Sequence, residues 1–173
     1  MKRFLLIVLI FLLIVGFGFL AFPQSCKPLD KSVRIDSIVV EKSKRRMKVF
    51  SQGELIKTYK ISLGRNPHGD KQFEGDKRTP EGLYFICDKN PNSQFHKNLG
   101  ISYPNRQDIE EAKKIGQKPG GQIKIHGIKN GLGWIGRFHR IIDWTSGCIA
   151  ITDKEMDELY DAVSIGTPIS INP

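Results

Sequence analysis

From residue 33 onward, the chain consists mainly of short runs of β-branched and aromatic residues separated by charged or glycine-containing turns. Runs of this length and composition are typical of strands, and turns this close together favour hairpins. We therefore predict a mainly β domain with a few short helices, arranged as a β-sandwich or a flattened barrel. The predicted strands cover residues 33–35, 38–40, 47–50, 55–61, 83–87, 122–126, 149–151 and 168–171.

Two segments have the apolar spacing of a helix instead. One covers residues 108–115. The other begins after Thr152, which forms the sequence pattern of a capping box with Glu155. The segments that join the predicted elements are rich in Gly, Pro, Asn and charged residues, and we predict that they are loops. These loops cover residues 64–82, 88–105 and 127–136.

The first 22 residues are not expected to belong to the globular domain. Residues 4–22 are apolar and uncharged and follow Lys2 and Arg3, and a stretch of this length can cross a bilayer of about 30 Å. Positive charges before the stretch predict that the rest of the chain is exported. We predict an N-terminal transmembrane anchor or signal segment at residues 1–22, a linker at 23–31 and one domain at 32–173. An uncleaved anchor is favoured, with signal cleavage and lipidation of Cys26 as alternatives.

The charge balance indicates which partners suit the exported domain. The chain has 27 Lys and Arg against 18 Asp and Glu, a net charge of +9. Such a domain suits an anionic polymer or a membrane surface. Nucleic acid is disfavoured by export and by the lack of a sustained basic-aromatic pattern. The densest basic patch, residues 41–48, is interpreted as a solvated hairpin turn.

The three cysteines are an odd number in a chain that we expect to be exported. Cys26 lies next to the apolar stretch, Cys87 lies in a predicted strand, and Cys148 follows Gly147 in a predicted turn. They are too scattered for a disulfide framework, although a bridge between Cys87 and Cys148 is an alternative. A free thiol that persists in an oxidising compartment usually has a chemical role. Cys148 is therefore our candidate nucleophile.

His126 is the candidate base for this nucleophile. It ends a predicted strand and precedes Gly127, and an imidazole beside a thiol can remove its proton. Gly147 would let a substrate carbonyl approach and would leave backbone N–H groups free to stabilise an oxyanion. One alternative is that both residues are structural. The other is a metal site formed with His139, whose irregular spacing lacks a completing carboxylate, so we expect neither metal nor cofactor.

Three short motifs connect these residues to a known family. They are Thr-Pro-Glu-Gly at residues 79–82, Ile-His-Gly at 125–127 and Thr-Ser-Gly-Cys at 145–148. In this order, over residues 32–172, they resemble the L,D-transpeptidase catalytic domain, the YkuD-like family of bacterial cell-wall enzymes. The resemblance implies the β fold of that family in a periplasmic or cell-wall-facing enzyme that acts on peptidoglycan stem peptides.

The resemblance also implies roles for individual residues. Cys148 would be the nucleophile that forms a thioester, and His126 the base. The backbone carbonyl of Gly127 would orient the imidazole, and the N–H groups of Gly147 and Cys148 would belong to the oxyanion hole. Thr145 occupies the hydroxyl position of the motif.

Two departures from the family pattern concern the second half of the reaction. Ser146 stands where histidine is frequent, and Ala150 stands where arginine or asparagine is frequent. The acceptor therefore stays open between an amine, which gives L,D-transpeptidation, and water, as in an L,D-carboxypeptidase. Residues 143–150 resemble a subgroup that includes hydrolases of lipoprotein–peptidoglycan links, so a wall-attached lipoprotein is a possible partner. A catalytically silent wall-binding module and a metal-binding exported protein are further alternatives.

Further residues are predicted to contact the substrate. The arginines would pair with a carboxylate of the stem peptide, and the other side chains would line the cleft. These residues are Tyr103, Arg137, His139, Arg140, Thr145 and Ser146.

Overall fold

A computed structural model describes residues 28–30 and 32–173 of the chain. The predicted anchor and most of the predicted linker lie outside these residues. In the part that is described, no helix is long and apolar enough to cross a membrane.

Eight strands form one curled sheet in the order β3-β2-β1-β8-β4-β5-β6-β7. Neighbouring strands are antiparallel except for two parallel pairs, β1 with β8 and β6 with β7. The predicted mainly β fold is confirmed, and of the two predicted arrangements the curled sheet is nearer to the flattened barrel. The strands are β1 Ser37–Glu41, β2 Arg46–Ser51, β3 Glu54–Lys60, β4 Gly82–Ser93, β5 His96–Ile101, β6 Lys124–His126, β7 Ile149–Ala150 and β8 Pro168–Asn172.

Two α-helices and a 3₁₀ segment accompany the sheet. Helix α1, Arg106–Lys114, and helix α2, Asp153–Ala162, each begin with a capping box. The box that the sequence predicts at Thr152 and Glu155 is confirmed. The 3₁₀ segment, Gly133–Ile141, is interrupted at Gly136, whose φ is 50°. It occupies much of the connection between β6 and β7.

The core follows the period of two that strands impose on their side chains. In β1, β2 and β8, every second side chain points into the core, and the residues between them are more exposed. Met156 and Leu159 of α2 are fully buried in the same core. The inward-facing residues of these three strands are Ile38, Val40, Met47, Val49, Ile169 and Ile171.

One predicted loop is wrong. Residues 88–105 were expected to be irregular because of their polar composition, but β4 continues to Ser93 and β5 occupies His96–Ile101. Polar side chains can lie on the exposed face of a strand whose backbone is paired, and β4 pairs with β5 across this region. This hairpin places Phe95 and Asn98 in a wall of the cleft described below.

The basic turn is also less solvated than its composition predicts. Turn residues 42–45 do connect β1 with β2, but the Lys42 side chain is only 2% exposed. Its ammonium donates hydrogen bonds to the carbonyls of Gly69 and Thr79 and to the Glu81 carboxylate, at 2.6, 2.7 and 2.8 Å. Lys42 thus fastens the loop of residues 64–81 to the sheet.

Candidate active site

The parallel pair β6 and β7 brings the two candidate catalytic residues to one place. His126 lies opposite Ala150 in the pairing register, and Cys148 immediately precedes β7. Both side chains line a single cleft of about 970 Å³. Thr145, Ser146 and His139 line the same cleft.

The His126 ring is buried and held in one orientation. Its Nδ1 lies 2.7 Å from the carbonyl oxygen of Gly127. Since a carbonyl only accepts hydrogen bonds, Nδ1 carries the proton and Nε2 keeps its lone pair. Phe95 and Trp144 pack against the ring, with centroids 4.7 and 5.6 Å away.

Burial lowers the pKa of His126 below its usual 6.5, and the charge of Lys124 lowers it further, against the opposing effect of the Gly127 hydrogen bond. The imidazole is therefore neutral at pH 7. A neutral ring with a free Nε2 lone pair has the form that a general base requires.

The Cys148 thiol lines the same cleft as His126. It donates to the carbonyl of Gln122, with a sulfur–oxygen distance of 3.6 Å. Burial raises the pKa of the Cys148 thiol, while the backbone N–H of Lys124 and the charges of Lys124 and Lys71 act in the opposite direction. The resting site thus combines a neutral thiol with a neutral imidazole.

Thr145 organises the turn that carries the cysteine. Its hydroxyl accepts from the Gly147 N–H at 3.1 Å and donates to the Cys148 carbonyl at 2.7 Å. The Gly147 N–H, predicted to face an oxyanion, is thus already hydrogen-bonded within the turn. That the Gly147 N–H belongs to an oxyanion hole stays a prediction. To stabilise an oxyanion, this N–H would have to donate to Thr145 and the substrate at once, or give up its bond to Thr145.

Gly147 also explains the upstream motif at residues 79–82. Its φ is 125°, and a Cβ at this position would lie 2.6 Å from the Arg78 carbonyl oxygen. The neighbouring Thr79 is fully buried, and its hydroxyl accepts from the Gly64 N–H at 3.1 Å. The backbone of Arg78, immediately before the motif, therefore packs against the cysteine turn, where only glycine fits.

Three predicted substrate contacts need correction, because the residues do not line the cleft. Tyr103 is buried, and its hydroxyl donates to the Pro119 carbonyl at 2.9 Å. Arg140 forms an ion pair with Glu155 at the start of α2 and lines a separate cavity of about 430 Å³. Arg137, which precedes the cleft residues Phe138 and His139, is not part of the lining.

His139 is buried in the cleft wall in a different chemical state from His126. Its Nδ1 accepts from the Trp144 indole N–H at 3.3 Å. Burial, followed by the charges of Arg140 and His126, lowers the pKa of His139 to about 4. Trp144 thus lies between the two histidines, with its ring centroid 6.3 Å from that of His139.

The alternative of a metal site requires several ligating side chains close together. Among residues 28–30 and 32–173, no group of three or more His, Cys, Asp or Glu side chains is placed to hold a metal ion. Cys87 is exposed, and both it and Cys148 are free thiols.

The structure adds cleft residues that the sequence analysis missed. Arg65, Gln122, Lys124 and Lys129 all line the cleft. One signal was available for Lys124, because it lies two residues before His126 on a strand and therefore shares its face. Arg65 and Lys129 come from segments predicted as loops, for which sequence periodicity indicates no direction.

Comparison with known proteins agrees with the motifs and the fold. The family model of the YkuD L,D-transpeptidase catalytic domain matches residues 35–171. The chain is 29% identical over 121 residues to "Putative L,D-transpeptidase YafK" of Escherichia coli K12, which is 68% of this chain and 41% of that protein. The chain thus matches about two fifths of the length of this curated relative.

Solved structures show the same fold. The helical cell shape determining protein Pgp2 from Campylobacter jejuni has a TM-score of 0.59 at 24% identity, over 81% of this chain and 48% of that one. Bd1075 from Bdellovibrio bacteriovorus has a TM-score of 0.57 at 23% identity, over 83% of this chain and 50% of that one. An L,D-transpeptidase from Mycobacterium smegmatis has a TM-score of 0.53 at 15% identity, over 79% and 58%. Because the family model covers nearly all of the described domain, the chain belongs to the YkuD family of L,D-transpeptidase catalytic domains.

Proposed function

We propose that this domain is a cell-wall acyltransferase in which Cys148 forms a thioester with a peptidoglycan stem peptide and passes the acyl group to an amine. The observation that carries the proposal is the shared cleft of Cys148 and His126, in which the Gly127 carbonyl fixes Nδ1 and leaves Nε2 as the proton acceptor. The family of the chain and the name of its Escherichia coli relative support the same reaction.

Acylation begins from neutral partners. The thiol exchanges its hydrogen bond to Gln122 for one to His126 Nε2, and the sulfur attacks the carbonyl carbon of the diamino acid's L-centre. Since burial disfavours both the thiolate and the imidazolium, proton transfer accompanies the attack instead of preceding it. The tetrahedral intermediate then collapses, the bond to the terminal D-residue breaks, and the imidazolium returns its proton to the leaving amine.

Deacylation repeats these steps with an acceptor. An amine attacks the thioester, His126 takes its proton, and the carbon–sulfur bond breaks as the imidazolium returns a proton to the sulfur. The new amide is the L,D-crosslink. With water as the acceptor, the same site would act as an L,D-carboxypeptidase or as a hydrolase of lipoprotein–peptidoglycan links, which is the alternative function.

The proposal extends to the setting of the domain. We place residues 32–173 on the exported side of the membrane, in the periplasm or facing the cell wall, with residues 1–22 as their attachment. The chain has a net charge of +9, of which Lys2 and Arg3 in the N-terminal segment contribute two; the remaining charge of 9 − 2 = +7 suits an anionic wall polymer. A silent wall-binding module is the weaker reading, since binding alone has no use for a free thiol and a buried imidazole in one cleft.

The test is incubation of the purified full chain in detergent with muropeptides, followed by mass spectrometry of the products. Crosslinked dimers are expected, whereas shortened stems without dimers would establish the hydrolytic alternative. Cys148→Ala should abolish both products, and Cys87→Ala, which removes an exposed thiol outside the cleft, should keep them. Equal product from Cys148→Ala would contradict the proposal.

A further inference from the structure

The cleft has an unbalanced charge. Among the described residues, the basic side chains that line the cleft are Arg65, Lys124 and Lys129, and the lining includes no Asp or Glu. These three cations come from three different segments of the chain. A surface of one sign inside a concave site attracts ligands of the opposite sign.

Elsewhere in the domain, three lysines with nearly buried side chains have carboxylate partners. Lys42 pairs with Glu81, Lys71 with Asp76, and Lys57 with Glu158, and each of these lysine side chains is no more than 6% exposed. The three cleft cations take part in none of the ion pairs found among the described residues. Arg65 and Lys129 are exposed and Lys124 is half-buried, so all three charges are accessible to a ligand in the cleft.

One of these charges lies close to the reacting groups. Lys124 neighbours the cysteine on the adjoining strand, and its backbone N–H and its charge both act on the Cys148 thiol. The same charge acts on His126. A carboxylate bound by Lys124 would therefore hold an acyl donor next to the nucleophile.

We propose that Arg65, Lys124 and Lys129 bind free carboxylates of the acyl donor, so that the cleft selects an acidic stem peptide over the same peptide with amidated carboxylates. This inference rests on the function proposed above and specifies its donor. Arginine and lysine form charge-assisted hydrogen bonds with a carboxylate that a neutral carboxamide cannot match.

The experiment compares two synthetic tetrapeptides, L-Ala-γ-D-Glu-diaminopimelate-D-Ala with free side carboxylates and the same peptide with both amidated. For the full chain, kcat/KM should favour the acidic peptide by about tenfold or more, as expected for the loss of charged hydrogen bonds. Arg65→Gln and Lys129→Gln should each reduce this ratio through KM, and combining them with Lys124→Gln should bring it near one. Raising the salt concentration should lower kcat/KM more for the acidic peptide, which carries two more carboxylates than the amidated one.

Lys114→Gln is the matched control. Lys114 is exposed at the end of α1, and its substitution removes one positive charge outside the cleft. It should leave the ratio unchanged. If Arg65→Gln, Lys129→Gln and Lys124→Gln slowed both peptides equally, the cations would act on the chemical step, and the carboxylate proposal would be overturned while the acyltransferase function would stand.

Binding to Cys148→Ala separates the two failures. Isothermal titration of this variant should show tighter binding of the acidic peptide, whether or not the wild type consumes it. Equal affinity for the two peptides would overturn carboxylate recognition. If Cys148→Ala still turned over the peptide and bound the acidic form selectively, the proposed function would be overturned and the carboxylate recognition would stand.

Discussion

The end of β6 and the 3₁₀ segment each place one buried histidine in the same cleft, and the two histidines are prepared for different tasks. At the end of β6, His126 Nδ1 donates to a backbone carbonyl, which leaves Nε2 as an acceptor. On the 3₁₀ segment, His139 Nδ1 accepts from Trp144, so its proton lies on Nε2, for which the described residues provide no partner. The neighbour of Nδ1, more than burial, decides which ring can act as a base.

The largest expected difference between the two regions is in turnover. His126→Gln should lower kcat by about 10³-fold, within the range for removing a general base. His139→Gln should lower it by less than about tenfold, because that ring has no free lone pair to offer. Both variants are to be assayed with the same muropeptide substrate, and equal losses would contradict the assignment of the base.

The second difference concerns stability in acid. The pKa of His139 is about 4 in the folded protein, against 6.5 for an unperturbed histidine, so the unfolded chain binds its proton first as the pH falls. Stability is therefore lost between pH 6.5 and 4, by about 2–3 kcal/mol for a shift of this size.

Urea unfolding at pH 7 and pH 4 measures this loss. His139→Gln should lose less free energy of unfolding over this interval than the wild type does. The same pH dependence in wild type and variant would show that His139 does not carry it.

The third expected effect is on the pH profile of catalysis. Because the folded pKa of His126 is lowered from 6.5, kcat/KM should stay level through neutral pH and fall only below that value. The decline should approach about tenfold per pH unit as the base becomes protonated. His139→Gln should still show this decline of kcat/KM below pH 6.5. If the decline disappeared in this variant, the titrating group would be His139 and not His126.

The smallest effect is expected where the two regions touch. Trp144→Phe keeps a ring against His126 but removes the N–H that His139 accepts, which should cost about 1 kcal/mol of unfolding free energy. kcat should change only a few-fold. Trp134→Phe is the matched control, since Trp134 is 83% exposed, and thermal unfolding of both variants should show a lower Tm for Trp144→Phe alone.

Much of the fold follows from local sequence signals. Short β-branched runs predicted most strands near their observed positions, and the capping box at Thr152 and Glu155 predicted the start of α2. These signals succeed because they express backbone preferences that act within a few residues. These signals did not predict the hairpin of β4 and β5, because its polar residues are held in strands by pairing between the two strands and not by their own backbone preference.

The candidate site divides in the same way. Cys148, His126, Gly127 and Gly147 were nominated from residue types and motif order. Their neighbours were not, because Arg65, Lys124 and Lys129 meet only where three segments converge on the cleft. Of the two arginines that the sequence suggested, Arg140 pairs with Glu155 and Arg137 is not part of the lining.

The sequence by itself determined most of the strand and helix pattern, the order of the family motifs and the two side chains that we propose as nucleophile and base. These depend on local backbone preference and on chemistry that belongs to single residues. Only the tertiary structure decided the proton positions on the two histidines, the engagement of the Gly147 N–H and the charge of the cleft. Each of these depends on which group lies within hydrogen-bond or Coulomb distance, and folding alone sets that distance.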